Sequence, residues 1–199
     1  MISAVILAAG SSSRMGVPKA LLEISGKTFL RHLVDTLASA SVLDVTIVLG
    51  SESERIRGTL SWFNGTVVIN PEWQQGQLSS VIAGIDAAVR DETVDGVLVC
   101  PVDHPLVSHG LIVDLLQAFW RSKKKIIIPV YGGRRGHPVI FAAPLLGDLR
   151  RAPRETGARA VVHRYPEEVA EVATEDEGAI INIDSMADYR RYVENKKAE

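Results

Sequence analysis

The chain has 199 residues, 46% hydrophobic and 23% charged, so it can bury a substantial core as a single domain spanning residues 1–199. Its 22 basic and 24 acidic side chains give a formal net charge of -2, which argues against nucleic acid as a partner. One cysteine excludes an intrachain disulfide framework and a cysteine-based zinc site, and no apolar run approaches the ~18 residues of a membrane span. Because no charged leader precedes the first strand, the sequence predicts a cytoplasmic protein.

The first predicted element is a strand over residues 2–7, an apolar and β-branched run that is typical of a strand buried on both faces. Residues 8–10 then leave the backbone with little side-chain bulk, and three serines follow. Arg14 and Lys19 add two cations to the same loop. Small residues, successive amides and cations together predict a polyphosphate site, whereas the alternative is an ordinary turn carrying surface charges.

The next predicted elements alternate between helices and strands. Apolar residues recur at helical spacing after Thr28, which can cap that helix, and residues 45–49 form a second strand. A short helix around residues 52–60 precedes a third strand over residues 66–69. This alternation predicts a parallel sheet with right-handed crossovers, in which ligands bind at the carboxyl ends of the strands.

The segment of residues 70–80 follows the third predicted strand and then opens a helix. Its amide and hydroxyl side chains suit recognition of a base and ribose by hydrogen bonding. The alternative is a polar loop in which Ser79 and Ser80 merely cap the helix.

Asp103 follows the fourth predicted strand, over residues 97–100, and lies between Pro101 and Pro105. The two prolines hold the backbone rigid, as suits a ligand for Mg²⁺. Ser108 can begin the next helix, so Asp103 is not needed as a helix cap. The sequence therefore predicts Asp103 as a metal ligand.

The last third of the chain carries further predicted elements and a local excess of positive charge. The elements are strands over residues 126–130, 136–141 (outside the parallel order) and 169–173, and helices over residues 145–151 and 154–162. Six arginines lie between Arg134 and Arg159, which predicts an anionic second substrate. The alternative is a basic helix surface.

A short strand over residues 179–185 is predicted before a final helix over residues 186–194. The strand ends at Asp184, which provides a second carboxylate. Asp184 and Ser185 could equally cap the final helix, so both roles stay open from the residues alone.

The loop from Leu7 to Lys19, LAAGSSSRMGVPK, resembles the signature loop of the MobA-like NTP transferases, the nucleotidyltransferases that act on the molybdenum cofactor. The resemblance extends to residues 70–80, Asp103, the Gly136-His137-Pro138 turn and Asp184. It implies an α/β, three-layer Rossmann-like nucleotidyltransferase fold with a mostly parallel central sheet and an antiparallel strand. Glu155 departs from the Asp-x-Gly-Ala-Arg pattern that is usual in the family.

The resemblance also implies roles for individual residues. It implies catalytic roles for Arg14, Lys19 and Asp103, and Mg²⁺ binding by Asp103 and Asp184. It implies nucleotide binding by Leu7, Ala8, Ala9, Gly10, Ser11, Arg14, Lys19, Asn70, Gly76, Ser79 and Ser80. Acceptor binding is implied for Arg135, His137 and Arg159.

The implied reaction transfers CMP from CTP to the terminal phosphate of molybdopterin and releases pyrophosphate. A phosphate acceptor is already anionic near neutral pH, so this reaction needs no general base. The form Ala8-Ala9-Gly10 resembles the cytidylyl branch, because guanylyl enzymes more often have a second glycine at the position of Ala9.

Three alternatives stay open at this level. One is GTP-dependent guanylyl transfer to molybdopterin, and another is transfer to a different phosphorylated acceptor, such as a sugar or alcohol phosphate. The third is a non-catalytic carrier that hands a finished cofactor to an apoenzyme. The expected partners are an NTP, an anionic phosphorylated acceptor and a transiently docked molybdoenzyme, with neither nucleic acid nor membrane.

Overall fold

The computed structural model describes residues 1–89 and 94–195, so the predicted domain of residues 1–199 includes two short stretches outside the described residues. The strands are β1 (Ile2–Ala8), β2 (Glu23–Ile24), β3 (Lys27–Thr28), β4 (Val45–Leu49), β5 (Thr66–Ile69), β6 (Gly96–Pro101), β7 (Ile126–Tyr131), β8 (Arg134–Arg135), β9 (Val139–Ala142) and β10 (Val169–Ala173). The helices are α1 (Phe29–Ser39), α2 (Ser53–Arg57), α3 (Gln77–Ala88), α4 (His109–Ser122), α5 (Leu146–Arg150), α6 (Arg159–Arg164) and α7 (Met186–Tyr189), which a π-helix over Arg190–Glu194 continues.

The central sheet has the strand order β10-β7-β9-β6-β1-β4-β5, and the short strand β8 pairs with β7. Strand β1 is parallel to both β4 and β6, β4 is parallel to β5, and β7 is parallel to β10. Strand β9 runs antiparallel between β6 and β7. This topology confirms the predicted fold class and the predicted strand outside the parallel order.

Helices cover both faces of the sheet. Along β1, which is buried throughout, Ala4 and Ile6 belong to the core beneath α1 and α4. Val5 and Leu7 belong to the core beneath α3, α5 and α6. The continuous apolar sequence of β1 follows from this two-sided burial, because every residue faces one core or the other.

Two of the predicted helix starts have the expected caps. The side chain of Thr28 accepts a hydrogen bond from Arg31 N at 3.2 Å, and Ser108 accepts one from Leu111 N at 3.2 Å. These bonds satisfy amide groups that lack a partner within the helix. The helix predicted from residue 154 instead begins at Arg159, after a turn.

The predicted strand over residues 179–185 is wrong. Ile181 and Ile183 are buried while Asn182 is exposed, an alternation that imitates a strand. The segment is nevertheless irregular after a 3₁₀ turn over Glu177–Ala179, and Ile183 N donates to the carbonyl of Asp103 at 2.8 Å. The burial pattern comes from packing beneath the Asp103 turn, without a strand ladder.

The helices in residues 1–89 and 94–195 are all too short or too polar to cross a membrane.

Gly84 permits close packing of α3 on the sheet. An added Cβ at Gly84 would lie 2.2 Å from Val5 Cγ1 and 2.9 Å from Val48 Cγ2. We therefore expect Gly84→Ala to lower the free energy of unfolding by about 1–3 kcal/mol, because overpacking outweighs the gain in helix propensity. Urea-induced unfolding measures this change.

Gly110→Ala in α4 is the matched control. An added Cβ at Gly110 would meet only Ser108 Oγ, at 3.7 Å. This substitution should raise the free energy of unfolding by up to about 1 kcal/mol, the difference in helix propensity. Equal stabilisation by the two substitutions would contradict the packing account.

Candidate active site

A cavity of about 380 Å³ lies where the parallel strands β1 and β6 end at their carboxyl sides. Several of the predicted nucleotide-binding residues line it: Leu7, Ala8, Ala9, Gly10, Ser11, Arg14, Lys19, Gly76 and Ser80. Both predicted metal ligands, Asp103 and Asp184, line the same cavity. The structure therefore brings together residues that are distant in the sequence at the predicted edge of the sheet.

The loop after β1 is held by its own backbone and by Ser12. Gly10 is exposed, and a Cβ added there would meet nothing within 4 Å, so the main chain is open to a ligand. Ser12 adopts a left-handed conformation with φ of 48°, and its Oγ accepts a hydrogen bond from Lys19 N at 2.9 Å. Ser12 thus closes the loop and fixes the position from which the Lys19 side chain extends.

The side chain of Lys19 bridges the two carboxylates. Its Nζ lies 2.5 Å from Asp184 Oδ1 and 3.3 Å from Asp103 Oδ2. Lys19 is the most enclosed of the three, with 14% of its side chain exposed against 27% for Asp103 and 35% for Asp184. Arg14 lies farther out, with Nη2 3.9 Å from Asp184 Oδ1. The cluster joins two cations to two anions at one cavity wall.

This cluster controls the protonation of Asp184. The hydrogen bond from Lys19 lowers the pKa of Asp184, and it outweighs burial, which acts in the opposite direction. Weaker lowering contributions to this pKa come from Asn182 and from the charge of Arg14. Asp184 is therefore ionised at neutral pH.

The donor set suits a hard divalent cation. Two carboxylates supply oxygen ligands, which Mg²⁺ and Mn²⁺ prefer. Within residues 1–89 and 94–195, no group of three or more His, Cys, Asp or Glu side chains is arranged to hold a metal ion. A cation at Asp103 and Asp184 would therefore depend on phosphate or water oxygens for its remaining ligands, as Mg²⁺ commonly does at nucleotide sites.

Asn70 and Ser79 do not line this cavity but build the wall behind it. Asn70 is buried, and its Nδ2 donates to Ser79 Oγ at 2.9 Å and Ser80 Oγ at 3.0 Å. Its Oδ1 accepts a hydrogen bond from Glu72 N at 2.9 Å. The N-cap of α3 is Gly76, so the two serines lie within the first turn and are not its N-cap.

A second cavity of about 670 Å³ shares Gln77 with the first. The three predicted acceptor-binding residues, Arg135, His137 and Arg159, all line it. Burial lowers the pKa of His137 to about 4, and the adjacent His104 contributes to the same shift. His137 is therefore neutral near pH 7, and the positive charge of this cavity comes from its arginines.

Some residues of the cavity walls have no assigned role in the sequence-based prediction. Trp73 lines the first cavity, and Thr156 lines the second. Trp73 lies inside the segment predicted to recognise a base, but its residue type alone does not separate a wall residue from a core residue.

Comparison with known proteins gives one family. The sequence profile of the MobA-like NTP transferase domain matches residues 4–169. The nicotine blue oxidoreductase of Paenarthrobacter nicotinovorans is 29% identical over 194 residues, which cover 93% of this chain and 93% of the relative. The molybdenum cofactor cytidylyltransferase of Escherichia coli is 28% identical and covers 97% and 98% of the two chains. A molybdenum cofactor guanylyltransferase of Rhodopseudomonas palustris is 34% identical and covers 84% and 81%.

Solved structures share the fold. A crystal structure of a Mycobacterium tuberculosis protein has a TM-score of 0.83 and 27% sequence identity, and covers 97% of each chain. A second structure of that protein, described as a complex with manganese, has a TM-score of 0.74 and 24% identity, and covers 97% and 98%.

The contact between Lys19 and Asp184 predicts how Asp184 titrates. In the unsubstituted protein we expect Asp184 to titrate below its ordinary range, and we expect Lys19→Met to raise the pKa of Asp184 because the strongest lowering interaction is lost. Arg14→Met should raise this pKa less, since its guanidinium lies 3.9 Å away. Carboxyl ¹³C NMR across an acid titration measures the pKa of Asp184 in the unsubstituted protein and in the two variants. A pKa unaffected by Lys19→Met would contradict the bridging geometry.

Proposed function

The chain belongs to the MobA-like NTP transferase family of nucleotidyltransferases, and from that premise we propose that it transfers CMP from CTP to the terminal phosphate of molybdopterin. Pyrophosphate is the leaving group. The observation that carries this proposal is the cluster of Lys19, Asp103 and Asp184 on the wall of a cavity bounded by an open backbone loop. Such a cluster suits a metal-bound triphosphate.

The nucleotide's triphosphate would lie against the loop after β1. The exposed backbone at Gly10 and the following serines offers amide donors, and no side chain obstructs the approach at Gly10. Arg14 and Lys19 add positive charge along the same wall. Amides and cations held in advance stabilise negative charge more effectively than mobile solvent does.

Asp103 and Asp184 are the residues that would hold a divalent cation, Mg²⁺ in this proposal. When bound, such a cation neutralises charge on phosphate oxygens as a Lewis acid. Lys19 contacts both carboxylates, so it supports the ionised form of Asp184 and would carry positive charge close to the departing pyrophosphate. Both effects favour the transition state, in which charge moves onto the leaving group.

The acceptor would occupy the second cavity. Arg135 and Arg159 supply positive charge for an anionic acceptor, and the shared residue Gln77 places the two cavities side by side. A phosphate nucleophile is anionic at neutral pH, so its attack on the α-phosphorus requires alignment and no general base. Burial lowers the pKa of His137 to about 4, so this residue would be a weak base, which agrees with a mechanism that needs none.

The choice of CTP over GTP rests on Ala9. The cytidylyltransferase and guanylyltransferase relatives have similar identity to this chain, so overall likeness does not select the base. Ala9 is buried at the cavity wall, where its methyl group reduces the room beside the backbone. A smaller pocket favours the pyrimidine base.

One relative has an oxidoreductase name, so family membership alone does not decide the reaction. The decisive measurement is pyrophosphate release with each of the four NTPs and molybdopterin, with and without Mg²⁺. Release with CTP supports the proposal, release only with GTP makes the chain a guanylyltransferase, and release only with a sugar phosphate changes the acceptor. Cofactor binding without pyrophosphate release favours a carrier.

We expect Asp103→Asn to lower the rate of pyrophosphate release by about 10²- to 10⁴-fold, a loss typical of a positioned charge-stabilising group. Asp86→Asn is the matched control, because Asp86 is an exposed carboxylate on α3 that pairs with Arg150. The control should retain the full rate, and circular dichroism should be the same for both variants. A fully active Asp103→Asn variant would remove the metal assignment.

We expect Arg159→Gln to raise the KM for the acceptor by about 10- to 100-fold, the range for losing a charge-assisted hydrogen bond, while the KM for CTP stays the same. Arg164→Gln, at the other end of α6, is the control because Arg164 pairs with Asp148 and does not line the cavity. Steady-state kinetics with each substrate varied in turn separates the two effects. An equal rise in both KM values would count against an acceptor role.

A further inference from the structure

Trp73 is the aromatic residue in the wall of the first cavity; the other described residues that line this cavity are not aromatic. It opens the 3₁₀ turn Trp73–Gln75 that follows β5, and its side chain is half-buried. An aromatic ring in a nucleotide-sized cavity can stack on a base, since every base has a π-face.

The side chain of Trp73 packs against the main chain at Gly50. A Cβ added at Gly50 would lie 2.6 Å from Trp73 Cβ, 2.7 Å from Trp73 Cγ and 2.7 Å from the Ala9 carbonyl oxygen. Gly50 therefore lets the base of the indole pack directly against the end of β4 and beside the phosphate-binding loop. This contact brings Trp73 next to Ala9, the residue that our proposal connects with the choice of base.

The turn that carries Trp73 is fixed in place before a ligand binds. Asn70 holds Ser79, Ser80 and the amide of Glu72, as described above. Within the turn, Gln75 N donates to Glu72 O at 2.9 Å, and Gly76 N donates to Trp73 O at 3.3 Å. A ring held on such a turn loses little conformational freedom when a ligand binds, which favours affinity. This network also explains why Asn70 is buried away from the cavity.

The strand order separates the aromatic and charged ends of the cavity. Asp103 follows β6 and Trp73 follows β5, and the order β6-β1-β4-β5 places three strand spacings between these strands. At 4.7–4.9 Å for each spacing, the two strands lie roughly 14 Å apart, and the contact at Gly50 turns the Trp73 side chain from β5 toward β4 and the loop after β1. The triphosphate and its cation belong at the charged end, so the base would reach the aromatic end.

We infer that Trp73 is the platform on which the base of the bound nucleotide stacks, an inference that rests on the proposed nucleotide site and adds a binding residue to it. Stacking tolerates any base, so Trp73 supplies affinity and leaves the discrimination between cytosine and guanine to the backbone near Ala9.

The test compares Trp73→Ala, Trp73→Phe and the unsubstituted protein by calorimetric titration in the presence of Mg²⁺. The titrants are CTP, GTP and inorganic tripolyphosphate. Trp73→Ala should weaken the binding of both CTP and GTP by about 5- to 150-fold, the range expected for losing one stacked base. The binding of tripolyphosphate should not change. Trp73→Phe should retain most of the affinity.

Trp120→Ala is the control, because Trp120 is exposed on α4 and lines neither cavity. If Trp73→Ala weakens the binding of tripolyphosphate as much as the binding of CTP, Trp73 only shapes the loop and the inference is overturned. Unchanged CTP affinity also overturns it and leaves the proposed function intact. If the unsubstituted protein binds none of the three titrants, both proposals fail.

Fluorescence gives an independent readout. Trp73 becomes the only tryptophan in a Trp62→Phe/Trp120→Phe double variant, since the chain contains three. CTP should quench or shift the emission of this variant, and tripolyphosphate should leave it unchanged. Saturating CTP that binds by calorimetry without altering the emission would contradict stacking.

Discussion

The shared contact of Lys19 with Asp103 and Asp184 is the interaction on which the site depends. The Lys19 cation offsets the negative charge of both carboxylates, and its hydrogen bond lowers the pKa of Asp184. Lys19 is tied to its loop through Ser12, whereas the carboxylates come from a turn after β6 and from the segment before α7. One side chain thus unites three remote parts of the chain and keeps the cavity wall balanced in charge.

The sheet determines which residues can meet there. Parallel strands β6, β1, β4 and β5 end at one edge, and residues that follow β6, β1 and β5 line the first cavity. Strand β9 is antiparallel to β6 and therefore begins at this same edge, which places His137 beside the second cavity. A Cβ added at Gly136 would lie 2.2 Å from the carbonyl oxygen of Ala179, so only glycine allows this close approach. The antiparallel strand brings the two cavities to one side of the molecule.

The sequence predicts the sheet better than it predicts what each polar side chain does. The strands over residues 45–49 and 66–69 match β4 and β5. The apolar run of β4 reflects burial of the whole strand, whereas β5 is a half-buried edge strand with Ile69 exposed and is recognised by its β-branched residues. The topology alone then predicts that residues at the carboxyl ends of those strands lie near a ligand site. Asn70 differs, since an amide can bind a ligand or hold a loop, and only its tertiary partners show that it holds Ser79 and Ser80. The role of Trp73 was missed because a tryptophan can belong to a cavity wall or to the core, and only its position in the structure separates the two.

Asp184 shows how a local competition decides the geometry of the site. The sequence leaves open whether Asp184 is a carboxylate of the site or, with Ser185, caps the final helix, and the structure gives the capping role to Ser185 through a capping box with Asp188. Asp188 Oδ2 also accepts a hydrogen bond from Asp184 N at 3.2 Å, so the backbone of Asp184 is held while its carboxylate stays available to Lys19. A cap by Asp184 would have withdrawn that carboxylate from the cavity. The capping box therefore acts beyond the short helix, because it settles which of two adjacent side chains faces the site.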